Sequence, residues 1–248
     1  MQKIRVVLAT GNETRHRYIA SKLSEENIEF FSLHERTNVN LSGSHFEQRS
    51  AVEKFILAEQ IHDAYLKKTI KKGEINSDRI LAEILEFQPD FFLSYGCSII
   101  NDNVVNNLKC IKINTHLGLS PYYRGTGTNF WPIFNRQLEY CGVTFHDLTS
   151  KIDGGSIYHQ FNLEKKHYET VHHLGNSLIK RIPEHLSKLI RSKLKPIQQN
   201  DQYFELKPRL YYRNSDYSTE ASDLVEKNFG IIQSEFQEST DSAKIWSP

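Results

Sequence analysis

Residues 3–33 read KIRVVLATGNETRHRYIASKLSEENIEFFSL. Lys3–Thr10 is an apolar, β-branched run without polar alternation, the composition of a strand buried on both faces. Gly11-Asn12 breaks it, RHRYIASKLSEE follows as a helix, and IEFFSL is a second strand. Such alternation joins parallel strands through crossover helices, so an α/β fold with a mostly parallel sheet is expected.

The pattern continues outward. Ser44-His45-Phe46-Glu47 has the form of a capping box and opens a helix to about Tyr65, with Phe55, Ala58, Ile61 and Tyr65 at helical spacing. KKTIKKGEINS reads as a basic surface loop. A helix carrying Ile80, Leu81, Ile84 and Leu85 stops before Pro89, because proline disfavours helix at the residue ahead of it. PDFFLSYG and KCIKINTH read as strands on either side of a short helix, NDNVVNNL. Phe130–Arg136 reads as a helix, and YCGVTFHDLT and GSIYHQFNLE as strands flanking an Asp-Gly-Gly turn. Leu174, Leu178, Ile179, Ile182, Leu186, Leu189 and Ile190 trace one helical face, which Pro183 is expected to kink or split. Past Pro196 the chain turns aromatic and polar, a strand or hairpin and then a helix from near Ser218. Residues 1–195 therefore read as the main domain and 196–248 as a small C-terminal appendage.

Composition narrows the class. In 248 residues, Lys+Arg 31 stands against Asp+Glu 30, so no strong field favours nucleic acid or an anionic membrane. No stretch approaches the run of about 20 apolar residues that a membrane span needs. MQKIRVVLATG goes straight into a strand and does not read as a signal peptide. Cys97, Cys110 and Cys141 show no CxxC spacing and read as reduced thiols. A soluble cytoplasmic protein is expected.

The chemistry lies between Asn114 and Asp153. Asn114, His116 and Asp153 supply an amide, an imidazole and a carboxylate, which acyl transfer uses as oxyanion donor, proton acceptor and orienting anion. Each also has a plain structural reading, since Asn and Asp satisfy turns. Two residues apart on a strand, Asn114 and His116 would share a face. The loop Gly118–Asn129 could cradle a phosphate, but it carries neither a Walker nor a GxGxxG pattern. Arg124 reads as a fork for a carboxylate or phosphate, or as an internal brace. A Ser120, His116, Asp153 triad lacks GxSxG, and His167, His172 and His173 lack the i,i+4 spacing of a helical metal site. His146-Asp147 fits alternating strand residues better than a catalytic pair. Tyr203, Phe204, Tyr211, Tyr212 and Tyr217 read as packing or an oligomer contact, or as a stacking surface for a base or sugar.

In this order, Asn114-Thr115-His116, Pro121-Tyr122-Tyr123-Arg124-Gly125, Trp131, Gly142-Val143-Thr144 and Asp153-Gly154-Gly155 resemble the N10-formyltetrahydrofolate-dependent formyltransferase family. The resemblance is clear over residues 80–160. It implies a Rossmann-like catalytic domain, N10-formyltetrahydrofolate as co-substrate without a metal, and Asn114, His116 and Asp153 as the catalytic triad. It also implies a pterin cleft lined by Tyr95, Gly96, Cys97, Ser98, Ile99 and Ile100, with Thr149 and Ile152 from the loop before Asp153. Acceptor contacts are expected from Arg15, His16, Tyr123, Arg124, Gly125 and Thr126. Purine-biosynthetic members carry a Gly-Ser-Gly-Ser-Asn-like phosphate loop where this chain has Gly11-Asn12-Glu13-Thr14-Arg15-His16. Initiator-tRNA members add a basic β-barrel for which 196–248 is too short, and hydrolytic members begin with a regulatory domain. The chain looks most like the sugar N-formyltransferases of surface-glycan synthesis. The partners so implied are the folate donor and a nucleotide-linked amino sugar, with no nucleic acid or membrane, and homodimer formation is one use of the appendage. The sugar stays open between a dTDP- or GDP-linked aminodeoxyhexose and a nonulosonic acid. Formyl-folate hydrolysis and transfer to a purine precursor are the alternative activities.

Overall fold

A computed structural model describes residues 3–36, 44–149, 151–192, 194–199, 204 and 209–247, without the side chains of 44–46. The capping box of Ser44 and the ring of Tyr203 therefore lie outside the described residues. The chain divides into two compact units. One is Met1–Thr115 with Asp147–Ser150 and Lys180–Lys193; the other is His116–His146 with Lys151–Ile179 and Leu194–Pro248.

The first unit runs β1 (Arg5–Thr10), α1 (Thr14–Ser24), β2 (Glu29–Glu35), α2 (Ser44–Leu57), β3 (Leu66–Ile70), α3 (Asp78–Phe87), β4 (Phe91–Tyr95), α4 (Asp102–Asn107) and β5 (Ile111–His116). Its strands are all parallel, in the order β3-β2-β1-β4-β5. The apolar runs explain this: Val6, Val7, Leu8, Phe92 and Leu93 are fully buried, as strands covered on both faces must be. Strand order reverses between β1 and β4, the position where doubly wound sheets open a crevice at their carboxyl ends. The Thr10 hydroxyl donates to the Tyr95 carbonyl there (2.7 Å). Helix α3 starts at Ser77, whose hydroxyl accepts from Ile80 N–H (3.3 Å), and ends at a left-handed Gln88 (φ 52°) just before Pro89.

Three local expectations change. KKTI is not loop but the core of β3, an edge strand; lysines that read as loop are what an edge tolerates, because one side of the ladder meets water. Helix α2 stops at Leu57, with a short 3-10 turn to Gln60, and Phe55 is 83 % exposed instead of facing inward. Leu85 is likewise exposed while Ile80, Leu81 and Ile84 are buried.

The second unit holds β6 (Tyr123–Gly125), α5 (Trp131–Phe134), β7 (Gly142–Asp147, less its last residue), β8 (Ile157–Asn162), the start of α6 (Val171–Arg191), β9 (Leu210–Tyr212) and α7 (Thr219–Glu238). Strands β7 and β8 are antiparallel, with an irregular register between Phe145 and His146. Strands β6 and β9 form a separate parallel pair. Pro183 does not split α6, which is one helix; burial of Ile182, Leu186 and Leu189 outweighs the hydrogen bond that the proline removes. The appendage ends in α7, capped by Ser218 (3.2 Å from Ala221 N) and burying Val225, Phe229, Ile232 and Phe236 at helical spacing. The fold is α/β, mostly parallel, with flanking helices and a C-terminal helical appendage. Among the described residues no helix is long and apolar enough to cross a membrane.

Phe92, fully buried in the apolar cluster of the first unit, sets a test of this packing. Phe92→Ala should lose about 3–5 kcal/mol of stability, read as a lower urea midpoint. A shift of less than about 1 kcal/mol would mean that β4 is not a central strand.

Candidate active site

The candidate groups sit at the carboxyl end of β5 and on the turn after β7. Asn114 lies opposite Ser94 in the β4–β5 register, and the Ser94 hydroxyl donates to Asn114 Oδ1 (2.8 Å). That bond fixes which end of the amide accepts, so its nitrogen end is the donor. Two residues on, His116 is buried, and its Nδ1 is 3.2 Å from Asp153 Oδ1. Its Nε2 lies 3.1 Å from the Tyr123 carbonyl. Both ring nitrogens thus face acceptors, and the arrangement is complete when each carries a proton. Burial pulls the imidazole below its usual value, while Asp153 and the Tyr123 carbonyl favour the charged form.

Asp153 adopts a left-handed backbone (φ 48°), which Asp tolerates in turns. Its Oδ2 accepts the Gly125 N–H (2.9 Å), and His146 Nε2 lies 3.6 Å from Oδ1. Burial alone would raise this carboxyl. The His116 charge, the His146 hydrogen bond and the Gly125 N–H overcome that and hold it at about 2. The turn itself is held by Gln199, whose side chain donates to the Asp153 carbonyl (2.9 Å) and the Gly155 carbonyl (2.7 Å).

The loop after β5 is pinned from inside. Thr144 donates to the Gly118 carbonyl (2.7 Å) and accepts from Ser120 N–H (3.0 Å), and Gln160 donates to the Ser120 carbonyl (2.6 Å). Gly118 has no room for a side chain: a Cβ would stand 2.6 Å from His116 Nε2.

The other expected site residues fall in varied settings. Tyr95 is buried, and burial raises its hydroxyl well above the usual range. Gly96 takes a left-handed backbone (φ 60°), and desolvation pushes the thiol of the half-buried Cys97 up to about 12. Ser98 N–H donates to Glu35 Oε2 (2.6 Å) and the Ile99 carbonyl accepts from Asn76 (2.9 Å), so two backbone groups of this segment already have protein partners. The Ile99 side chain is 75 % exposed, Ile100 is buried, and Thr149 and Ile152 are exposed. Among the expected acceptor contacts, the Arg15 guanidinium pairs with Glu53 (2.9 Å) and with Glu13. His16 fills the β1/β4 switch point with its own ring: a Cβ on Gly11 or Gly96 would fall 2.6 or 2.5 Å from it. Burial, with Arg15 next, holds that imidazole well below its usual value. Tyr123 is fully buried and hydrogen-bonds Gln137 (2.6 Å); Arg124 and Gly125 are half-buried and Thr126 is exposed. Among the described residues no His/Cys/Asp/Glu group could hold a metal.

Sequence reasoning missed Ser94, Gln199 and the reach of His146. His146 was visible beside the motif but indistinguishable from an alternating strand residue; the signal available was its position seven residues before Asp153.

Residues 3–190 match the model of the formyl transferase family, and the chain belongs to that family. It is 30% identical over 134 residues to the bifunctional polymyxin resistance protein ArnA of Wigglesworthia glossinidia brevipalpis, covering 54% of this chain and 19% of that protein. Over 179 residues it is 30% identical to methionyl-tRNA formyltransferase of Ureaplasma urealyticum, covering 66% of this chain and 56% of that protein. The chain thus spans less than two thirds of the length of these relatives. A solved N-formyltransferase from Helicobacter canadensis, in complex with folinic acid and dTDP-3-aminofucose, shares the fold at TM-score 0.55 and 18% identity, covering 87% of this chain and 72% of that one.

Asp153 titrates at about 2 in the fold against an ordinary 3.8. Its ionised form therefore contributes stability above about pH 4, lost as the pH falls from there through about 2. The gap in melting temperature between wild type and Asp153→Asn should narrow steadily as the pH falls from 4 toward 2. A gap that stays constant over that range would show that Asp153 is not held ionised by its neighbours.

Proposed function

We propose that the protein transfers the formyl group of N10-formyltetrahydrofolate to the amine of a nucleotide-linked amino sugar. The observation that carries formyl transfer is the buried His116–Asp153 pair, two residues beyond an Asn114 whose amide is oriented by Ser94. In this reading residues 1–195 are the catalytic domain and 196–248 its appendage. The pterin lies against the segment 95–100 and the loop before Asp153, and Arg124 and Thr126 are the nearest candidates for acceptor contact.

The acceptor amine attacks the formyl carbon, forming a C–N bond and placing negative charge on the formyl oxygen. The Asn114 amide donates to that oxygen, and protonated His116, whose own N–H groups face Asp153 and the Tyr123 carbonyl, stabilises it through its charge. Collapse breaks the bond from the formyl carbon to N10 of the folate, and the proton lost by the amine reaches N10 by way of water and the Asp153 carboxylate. Removing one oxyanion donor typically costs about 3 kcal/mol, a hundred-fold or more in rate.

Two observations support an amino sugar. Glu13, paired with Arg15, places a carboxylate in the turn after β1, where a phosphoribosyl acceptor would need a phosphate loop. The Helicobacter canadensis neighbour carries an amino sugar nucleotide on the same fold. A second reading, formyl transfer to methionyl-tRNA, is favoured by the similarity to the Ureaplasma urealyticum enzyme.

The deciding experiment incubates the protein with N10-formyltetrahydrofolate and a panel of nucleotide-linked amino sugars, methionyl-tRNA and buffer alone, with mass-spectrometric detection. A formylated sugar nucleotide is expected. Formyl-methionyl-tRNA would move the chain to the second reading, and formate without any acceptor would make it a hydrolase. Asn114→Ala and His116→Ala should each lower turnover by about a hundred-fold or more with an unchanged circular dichroism spectrum. Near-normal turnover in either would remove that residue from the chemistry.

A further inference from the structure

The reading of His116 and Asp153 as the reacting pair has a structural corollary in the C-terminal segment. Strand β6 is only Tyr123–Gly125, yet it supplies a contact to each member of the pair. The Tyr123 carbonyl meets His116 Nε2 (3.1 Å), and the Gly125 N–H meets Asp153 Oδ2 (2.9 Å). A three-residue strand cannot hold that geometry by itself. Its ladder partner is β9, Leu210–Tyr212, with Leu210 N–H donating to the Tyr122 carbonyl (2.8 Å) and Thr126 N–H to the Tyr212 carbonyl (2.9 Å). The two backbones touch: a Cβ on Gly125, at φ +90°, would stand 2.1 Å from the Tyr212 carbonyl oxygen.

Tyr212 anchors β9 in turn. Its ring stacks on Trp131 with centroids 4.2 Å apart and planes at 7°. It also lies parallel to the Tyr123 ring at 6.2 Å. Asn135 donates to both tyrosine hydroxyls, at 2.9 Å to Tyr123 and 3.1 Å to Tyr212. The stack therefore fixes the height and direction of β6 from its far edge.

We propose that Tyr212, through β9, is a positioning residue for the His116–Asp153 pair, so that the segment after residue 196 belongs to the catalytic scaffold. Rings and backbone do this work without touching substrate. The groups facing His116 are Asp153 on the turn, His146 on β7, and Arg124 and the Tyr123 carbonyl on β6. Of these, the last two ride on β6 and move when β9 lets go. The carbonyl favours the charged ring and Arg124 opposes it, the carbonyl being the stronger of the two, so with the ring still buried their joint displacement should lower the proton affinity of His116.

The test uses the full chain. The imidazole resonances are titrated by NMR, with His116 identified by its absence in His116→Gln. In Tyr212→Leu, His116 should titrate lower by about half a pH unit or more. Turnover should fall about tenfold with the KM for the formyl donor nearly unchanged, and the acid limb of the pH–rate profile should move with the His116 titration. Tyr212→Phe, which keeps the stack, should restore both to within about threefold of wild type. Asn135→Ala, a milder change at a half-buried site, should shift His116 in the same direction by less, and it decides the question if Tyr212→Leu does not fold. The proposal is overturned if these variants only lower the melting temperature while His116 titrates as in wild type. The titration does not depend on turnover, so an absence of formyl transfer in the wild type would remove the proposed reaction and leave this result to be read separately.

Discussion

A carboxylate–imidazole pair buried under the loop after β5 is the constraint on which the second unit depends. Taking an ionised carboxylate and an imidazole out of water is costly, and that cost is offset only when their lone pairs and protons find partners. Asp153 has three such partners in His116, His146 and Gly125, and His116 has the Tyr123 carbonyl on its other nitrogen. The rest of the unit can be derived from that need. Thr144 and Gln160 fix the loop backbone, Gln199 fixes the turn, and the β6–β9 ladder brings one carbonyl and one N–H to the pair.

The first unit handles its charges differently. At the carboxyl ends of β1 and β4, where a doubly wound sheet offers a crevice, a neutral His16 ring occupies the space between Gly11 and Gly96. Beside it the Arg15 charge is met by Glu13 and Glu53 within the fold. An incoming anion would have to break an ion pair that already exists, with a carboxylate left behind to repel it. Such a turn does not favour a phosphate. In the proposed reaction the anionic part of the acceptor would then be held by other groups.

Much of this was legible in the chain, and the exceptions have physical causes. β1 and β4 could be read because strands buried on both faces are written as apolar runs, β5 because Ile111 and Ile113 alternate with polar residues, and Pro89 marked the end of α3. β3 could not, because Lys67 and Lys68 on an edge strand look the same as lysines in a loop. The continuity of α6 through Pro183 depends on what its apolar face packs against, which periodicity alone does not reveal. The order of Asn114, His116, Pro121–Gly125 and Asp153 pointed to the chemistry. Ser94 and His146 stayed hidden because an alternating strand gives an inward polar residue no mark of its own. β9 was hidden most completely: three residues whose partner lies far back in the chain carry no local pattern, and their aromatic rings suggested a ligand surface as readily as a core.

Pro121-Tyr122-Tyr123-Arg124-Gly125 therefore has a different meaning in the structure from the one its residue types suggest. Tyr122 and Tyr123 are almost wholly buried, and their rings pack against Tyr140, Phe204 and Tyr212. Gly125 is small because the Tyr212 carbonyl occupies the place of a Cβ. What the motif offers to His116 and Asp153 is a carbonyl and an N–H, groups that every residue possesses. The side chains are fixed by the need to hold that backbone still, so the motif says little about the acceptor in the proposed reaction. Selectivity must then come from side chains outside this packing. In the motif itself that leaves chiefly Arg124, whose Nε is buried without a hydrogen-bond partner among the described residues and whose charge lies close enough to oppose the charged form of His116. An anionic group on the acceptor, meeting Arg124, would relieve that opposition and favour the protonated imidazole at the moment it is needed.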